Sequence, residues 1–232
     1  MVIINAPATL LIATAVWLIW RIVTWRRRGG DVVREFVVTA LFLVTLLIVQ
    51  ITQFPMKIIF YDWASVINLV PFASITQLIQ HTNTQVAFTN IVGNVVLFMP
   101  LGFLLPILFR SLQRPWPMIW RGAAISVAIE LMQLITRARA VDIDDVILNT
   151  LGAALGFAIY RVVATLIRRF GLGRRLLDRA VADTEREPLL IPLWPIGVTL
   201  LIAIPMVLST ISAATLGGGP TGIVGDALSR TP

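Results

Sequence analysis

Cysteine is absent from the 232 residues, and histidine occurs once, at His81. Without thiols there is no disulfide framework, no thiolate metal site and no cysteine nucleophile. The single histidine lies in a polar run, QHTNTQ, with no ligand spacing around it. It therefore reads as solvated rather than catalytic, and neither a metal nor a cofactor is expected. Charge is scarce as well: 13% of residues are charged against 57% hydrophobic, and mean hydropathy is +0.87. That composition cannot cover a water-soluble fold with polar surface, so an integral membrane protein is expected. The charge that remains is unbalanced, at a net +7. In a soluble protein this excess would suggest nucleic acid, but in a polytopic one basic residues gather in cytoplasmic loops, and no nucleic-acid partner is implied. The first apolar segment lacks a basic n-region and a small-residue cleavage site, which predicts a retained helix rather than a signal peptide.

A helix needs about 20 mostly apolar residues to cross a bilayer. Segments 8–23, 37–54, 88–109, 117–135, 146–167 and 189–211 meet or approach that length. The expected fold class is all-α: a polytopic membrane helical bundle with about six transmembrane helices. Segment 55–86 differs, mixing Ile58, Phe60, Tyr61 and Trp63 with Asp62, Asn68, Pro71 and His81, and reads as interfacial or re-entrant. One set of connections carries Arg26, Arg27, Arg28 and Arg34, then Arg110, Arg114 and Arg121, then Arg168, Arg169, Arg174, Arg175, Arg179 and Arg186. The opposite set carries only Lys57, Arg137, Arg139 and Arg230. The first set is expected in the cytoplasm, which places both termini and segment 55–86 outside. The basic loop 168–188 reads as a solvated stop-transfer loop with some amphipathic character, and 217–232, rich in glycine and proline, as a disordered tail.

Polar residues inside the spans fall on stripes. In the fourth span Ser126, Glu130, Gln133 and Arg137 recur at spacings of four, three and four, which places them on one helical face. In the fifth, Asp142, Asp145, Asn149, Gly152 and Gly156 follow the same rhythm, and the two glycines permit close helix approach. The third carries Asn90 and Asn94, then Pro100, Gly102 and Pro106, a series expected to kink or break the helix. With a rise of about 1.5 Å per residue, Glu130, Asn149 and Asn94 all lie roughly 10 Å below the outer boundary and can meet. The short link between the fourth and fifth spans makes them antiparallel neighbours, so Arg137, Arg139, Asp142 and Asp145 should crowd one outer mouth. Plainer roles stand beside this. Asp142 fits an N-cap, Asp144 points away from the stripe and fits a first-turn acid on the helix dipole, and the asparagines fit interhelical hydrogen bonding. Glu130 is the hardest to explain in that way, because a carboxylate within a span costs several kcal/mol unless it is paired or hydrated.

Four segments in order, NLVPF at 68–72, NIVGNVVLFMPLGFLLP at 90–106, ELMQ at 130–133 and RAVDIDDVILNTLGAALG at 139–156, together resemble the VanZ-like family of bacterial membrane proteins. The resemblance implies a core at 37–167, flanked by an N-terminal helix and basic loop at 1–36, the loop 168–188, a C-terminal helix at 189–216 and the tail 217–232. It implies a place in the bacterial cytoplasmic membrane and a link to teicoplanin and other glycopeptides, without supplying a reaction. Carried over by position, the matching polar residues are Asn68, Asn94, Glu130, Gln133, Arg139, Asp142, Asp145 and Asn149, which coincide largely with the stripes.

The leading expectation is an envelope protein that binds a lipid-linked or amphiphilic ligand, such as a cell-wall precursor or a glycopeptide, in an outward polar cleft. Arg137 and Arg139 would hold a phosphate or carboxylate, Asp142 and Asp145 would orient them, and Asn94, Glu130 and Asn149 would floor the cleft, with Asn68 and Gln133 beside it. The alternatives are a transferase or hydrolase on an envelope lipid, with Glu130 or Asp145 as catalytic acid or base, and a lipid flippase or transporter. Sequence alone leaves catalysis and oligomeric state open.

Overall fold

Helix ends fall where the chain supplies caps. The computed structural model describes residues 3–4, 7–28, 31–53, 56–57, 67–81, 84–136, 141–171 and 173. The expected span at 189–211, most of the loop 168–188, the tail 217–232, the aromatic run 58–66, the side chain of His81, and Arg137 and Arg139 lie outside the described residues. Within them run α1 (Pro7–Arg28), α2 (Val32–Gln53), α3 (Ala73–His81), α4 (Thr84–Leu108), α5 (Pro115–Thr136) and α6 (Ile143–Phe170). Asp31 caps α2, its Oδ1 accepting from Val33 N at 2.8 Å. Pro115 opens α5 at a position where its missing N–H costs nothing. Asp142 caps α6, and Gly171, with φ 69°, ends it in the left-handed conformation that favours glycine.

Three of these helices are long and apolar enough to cross a membrane: α2 over Val32–Thr52, α4 and α6. The sixth expected span lies outside the described residues, and three of the other five meet this measure of length and composition. Every expected span up to residue 167 nevertheless coincides with a helix, and α3 is an additional short one.

The bundle is organised around α4 and α6, which make its most extensive contact and run parallel. Glycine permits this closeness. A Cβ on Gly152 would stand 2.1 Å from the Val95 carbonyl oxygen, one on Gly156 1.9 Å from that of Met99, and one on Gly102 2.0 Å from that of Ala153. The two backbones touch along a G-x-x-x-G stripe, as the spacing of Gly152 and Gly156 predicts. α5 packs antiparallel on α6 through the short connector. A core of Phe98, Leu101 and Leu105 from α4, Met118, Ile125 and Ile129 from α5, and Ala153 and Phe157 from α6 joins them. Large apolar side chains such as Phe88, Val96, Leu151 and Val162 are left exposed on the outside, the surface a lipid environment covers.

The proline series does not break α4, which continues through Pro100 and Pro106 to Leu108. Close packing along α6 holds this stretch in line, and the Pro106 carbonyl near its end accepts from Gln113 Nε2 at 3.2 Å. On the far side α1 joins α2 through Arg21, whose guanidinium forks onto Glu35 at 2.6 and 2.8 Å. Arg21 also lies over the Trp17 and Trp20 rings, and Trp17 stacks on Phe42 at 4.3 Å.

Two short ladders tie the connections. β1 (Ile3–Ile4) pairs antiparallel with β2 (Met56–Lys57), and β3 (Ile67–Asn68) pairs parallel with β4 (Val141–Asp142). The second ladder positions the site, because it sets NLVPF directly against the start of α6.

Candidate polar site at the start of α6

Asp142 is the hub. Its Oδ1 accepts from Asp144 N at 2.9 Å as the α6 cap and from Asn68 Nδ2 at 3.1 Å, while its own backbone N–H donates to Glu130 Oε2 at 3.1 Å. Asn68 Nδ2 also reaches Ser74 Oγ at 2.8 Å, and Asn68 Oδ1 accepts from Val70 N at 3.1 Å, closing the turn that begins NLVPF. Glu130, 4% exposed on α5, is thus bound to the connector that leads back into α6. Such a carboxylate needs partners in an apolar setting, and a backbone N–H twelve residues further along the chain is one of them.

Asp144 departs from the expectation for a first-turn acid. It is 1% exposed, and its two carboxylate oxygens accept from Phe72 N at 2.5 Å and Ile75 N at 3.1 Å. These N–H groups open α3, so Asp144 caps a helix some seventy residues earlier in the chain. The apolar Phe72 at the head of α3 cannot cap it, and a negative group there also meets the positive end of the helix dipole. Phe72 adopts φ 64°, unusual for a bulky residue, and the bonds from Asp144 offset that strain. Stripe reasoning missed Asp144 and Ser74. The legible signal was an α3 whose first residues offer no cap of their own.

The other expected residues divide between this hub and the bundle. Asn94 Nδ2 donates to Asp145 Oδ1 at 2.6 Å, joining α4 to the first turn of α6. Asn149, buried at 2% exposure, donates from Nδ2 to Ser126 Oγ at 2.9 Å and joins α6 to α5. Gln133 Nε2 donates to the Thr52 carbonyl at 3.0 Å, in the last turn of α2. Asn90 bonds back to Val86 O on its own helix. The expected meeting of Asn94, Glu130 and Asn149 is thereby spread over distinct bonds: Asn94 goes to Asp145, Asn149 to Ser126 and Glu130 to the connector. Among the described residues no group of three or more His, Cys, Asp or Glu side chains is arranged to hold a metal ion. Asp142, Asp144 and Asp145 instead each serve a different set of partners.

Chemically the arrangement is a set of carboxylate and amide groups at one end of an apolar bundle. Asp144 and Glu130 are buried, whereas Asn68, Asn94, Asp142 and Asp145 are only half-buried.

The family model described as VanZ/LLP1 matches residues 36–165, a stretch that runs from the first turns of α2 into the last turns of α6 and takes in the whole polar network. Protein VanZ of Enterococcus faecium is 32% identical over 123 residues, covering 52% of this chain and 70% of that protein. No solved structure matches. With more than half of its length matched, the chain belongs to the VanZ/LLP1 family.

Proposed function

We propose that this protein binds a lipid-linked or amphiphilic ligand of the bacterial envelope at the polar end of α4, α5 and α6. The observation that carries this reading is the half-buried face of Asn68, Asn94, Asp142 and Asp145, set at the end of a bundle whose flanks are apolar. A ligand with a polar head and an apolar body meets both surfaces at once. Arg137 and Arg139 lie in the sequence between α5 and β4 and supply the cationic complement for a phosphate or carboxylate. The arginine-rich connections face the cytoplasm, so this end faces outward, where glycopeptides and cell-wall precursors are found. The similarity to protein VanZ supports a link to glycopeptide resistance.

The experiment expresses wild type and Arg139→Ala at matched levels in a teicoplanin-sensitive bacterium and measures susceptibility with quantitative mass spectrometry of envelope lipids and precursors. The expected result is a wild-type shift in susceptibility that Arg139→Ala abolishes. Retention of the shift by the variant would remove arginine capture from the reading.

A second reading is a membrane-embedded transferase or hydrolase, favoured by the Asp145 carboxylate, half-buried and oriented by Asn94 at 2.6 Å. It predicts a lipid species that appears or vanishes with wild type and reverts with the isosteric Asp145→Asn. An unchanged lipid profile alongside a wild-type shift in teicoplanin susceptibility favours binding.

A further inference from the structure

The NLVPF turn presents its apolar side chains outward: Leu69 is 69% exposed, Val70 64% and Phe72 58%. A surface loop in water is ordinarily polar, and its backbone donors are satisfied by solvent. Here those of Val70, Phe72, Ala73 and Ile75 are satisfied by protein. Val70 N donates to Asn68 Oδ1, Phe72 N and Ile75 N to the Asp144 carboxylate, and Ala73 N to the Val70 carbonyl at 3.2 Å, while Pro71 has no N–H to satisfy. Internal satisfaction of the backbone is the requirement for irregular chain that enters hydrocarbon, where no water can substitute.

The register fixes the depth. Asn68 stands opposite Asp142, one residue before α6 begins, and α6 is one of the apolar membrane-length helices. The turn therefore lies level with the first turn of a helix long and apolar enough to cross a membrane. α3 adds exposed Ile79 and half-buried Ile75 and Leu78, which share one side of the helix, while Gln77, exposed and polar, lies opposite Ile79.

We propose that Leu69–Phe72 and the apolar face of α3 form a preformed wedge that inserts into the acyl-chain region of the leaflet at the N-terminal end of α6, held rigid by Asp144. Its occupant is lipid hydrocarbon. The wedge stands independently of the envelope-ligand reading and adds to it a structural reason for a lipid to be drawn beside the polar face.

The absence of cysteine makes the test direct. Val70→Cys and Gln77→Cys, each carrying a nitroxide, are reconstituted as full chains in vesicles of phosphatidylethanolamine and phosphatidylglycerol. Collision with oxygen, which concentrates in hydrocarbon, is compared with collision with a water-soluble nickel chelate. A positive depth parameter at 70 and a negative one at 77 are expected. Greater nickel access at 70 overturns the proposal, as does spin–spin broadening at 70 that disappears on dilution with unlabelled protein, since that places a second copy over the turn. Adding Asp144→Ala to Val70→Cys, which removes both acceptors of the turn, is expected to narrow the spectrum and abolish the positive depth value while helical circular dichroism is unchanged. An unaltered spectrum removes Asp144 as the latch, and the depth comparison in the protein with Asp144 intact decides the wedge even where that variant fails to fold.

Discussion

Asp144 and Asp145 are adjacent carboxylates placed in different surroundings by one step of the helix. Asp144 holds two backbone N–H groups of another element, and Asp145 holds an amide across the bundle. Asp144→Ala should therefore cost about 2 kcal/mol or more, because two part-buried donors lose their acceptor at about 1–3 kcal/mol each. Asp144→Asn keeps an acceptor and should cost less. Thermal unfolding in detergent followed by circular dichroism separates the two; equal midpoints would mean that the carboxylate does not carry α3. Phe72→Gly tests the same joint from its other side. Relief of the left-handed backbone is worth about 1–2 kcal/mol, against about 0.5–1 kcal/mol of added chain entropy for glycine. No loss of midpoint is expected, and a fall of several degrees would show that the exposed ring contributes more than its backbone costs.

Between elements, the contact of α4 with α6 leaves the least room for substitution. Gly156→Ala sets a Cβ against the Met99 carbonyl, which cannot move without its helix, and overpacking of this kind costs about 1–3 kcal/mol. Gly93→Ala, on the same α4, meets nothing within 4 Å and should gain about 0.5–1 kcal/mol in helix propensity. A pair of unfolding curves moving in opposite directions is expected; parallel movement would place the glycine effect in the helix rather than in its packing. The Arg21–Glu35 fork offers a second element-scale test. Removing Arg21 alone, as Arg21→Met, deprives the partly buried Glu35 of its cation, whereas Arg21→Met with Glu35→Met removes both charges. The double variant should be the more stable of the two, and a double variant no better than the single would show that the ring contacts of Arg21 dominate.

At the scale of the whole molecule, the helix ends sort by charge. The connections after α1, between α4 and α5 and after α6 are rich in arginine, and the opposite end carries the acidic hub. The positive-inside rule applied to that asymmetry predicts the orientation. In intact cells Gln77→Cys is expected to react with a membrane-impermeant maleimide and Ser111→Cys to react only after permeabilisation. The reverse pattern would invert the molecule and move the polar face to the cytoplasm, away from glycopeptides.

Much of the architecture was legible because its causes are local. Apolar run length marked α1, α2, α4, α5 and α6, the three-and-four spacing put Ser126, Glu130 and Gln133 on one face, and the Gly152 and Gly156 pair announced close packing. The Asp142 cap was readable from adjacent residues. Other features depend on partners far away in the chain. Pro100 and Pro106 suggested a broken helix, since sequence does not reveal that packing along α6 keeps α4 continuous. Asp144 looked like an ordinary first-turn acid, because its partners at Phe72 and Ile75 are brought near only when β3 pairs with β4. Gln133 shared a face with Glu130 yet serves α2, a choice made by which carbonyl lies opposite. Periodicity determined which side chains share a surface; the tertiary structure decided what each one touches, because hydrogen bonds between elements depend on the register and depth at which those elements dock.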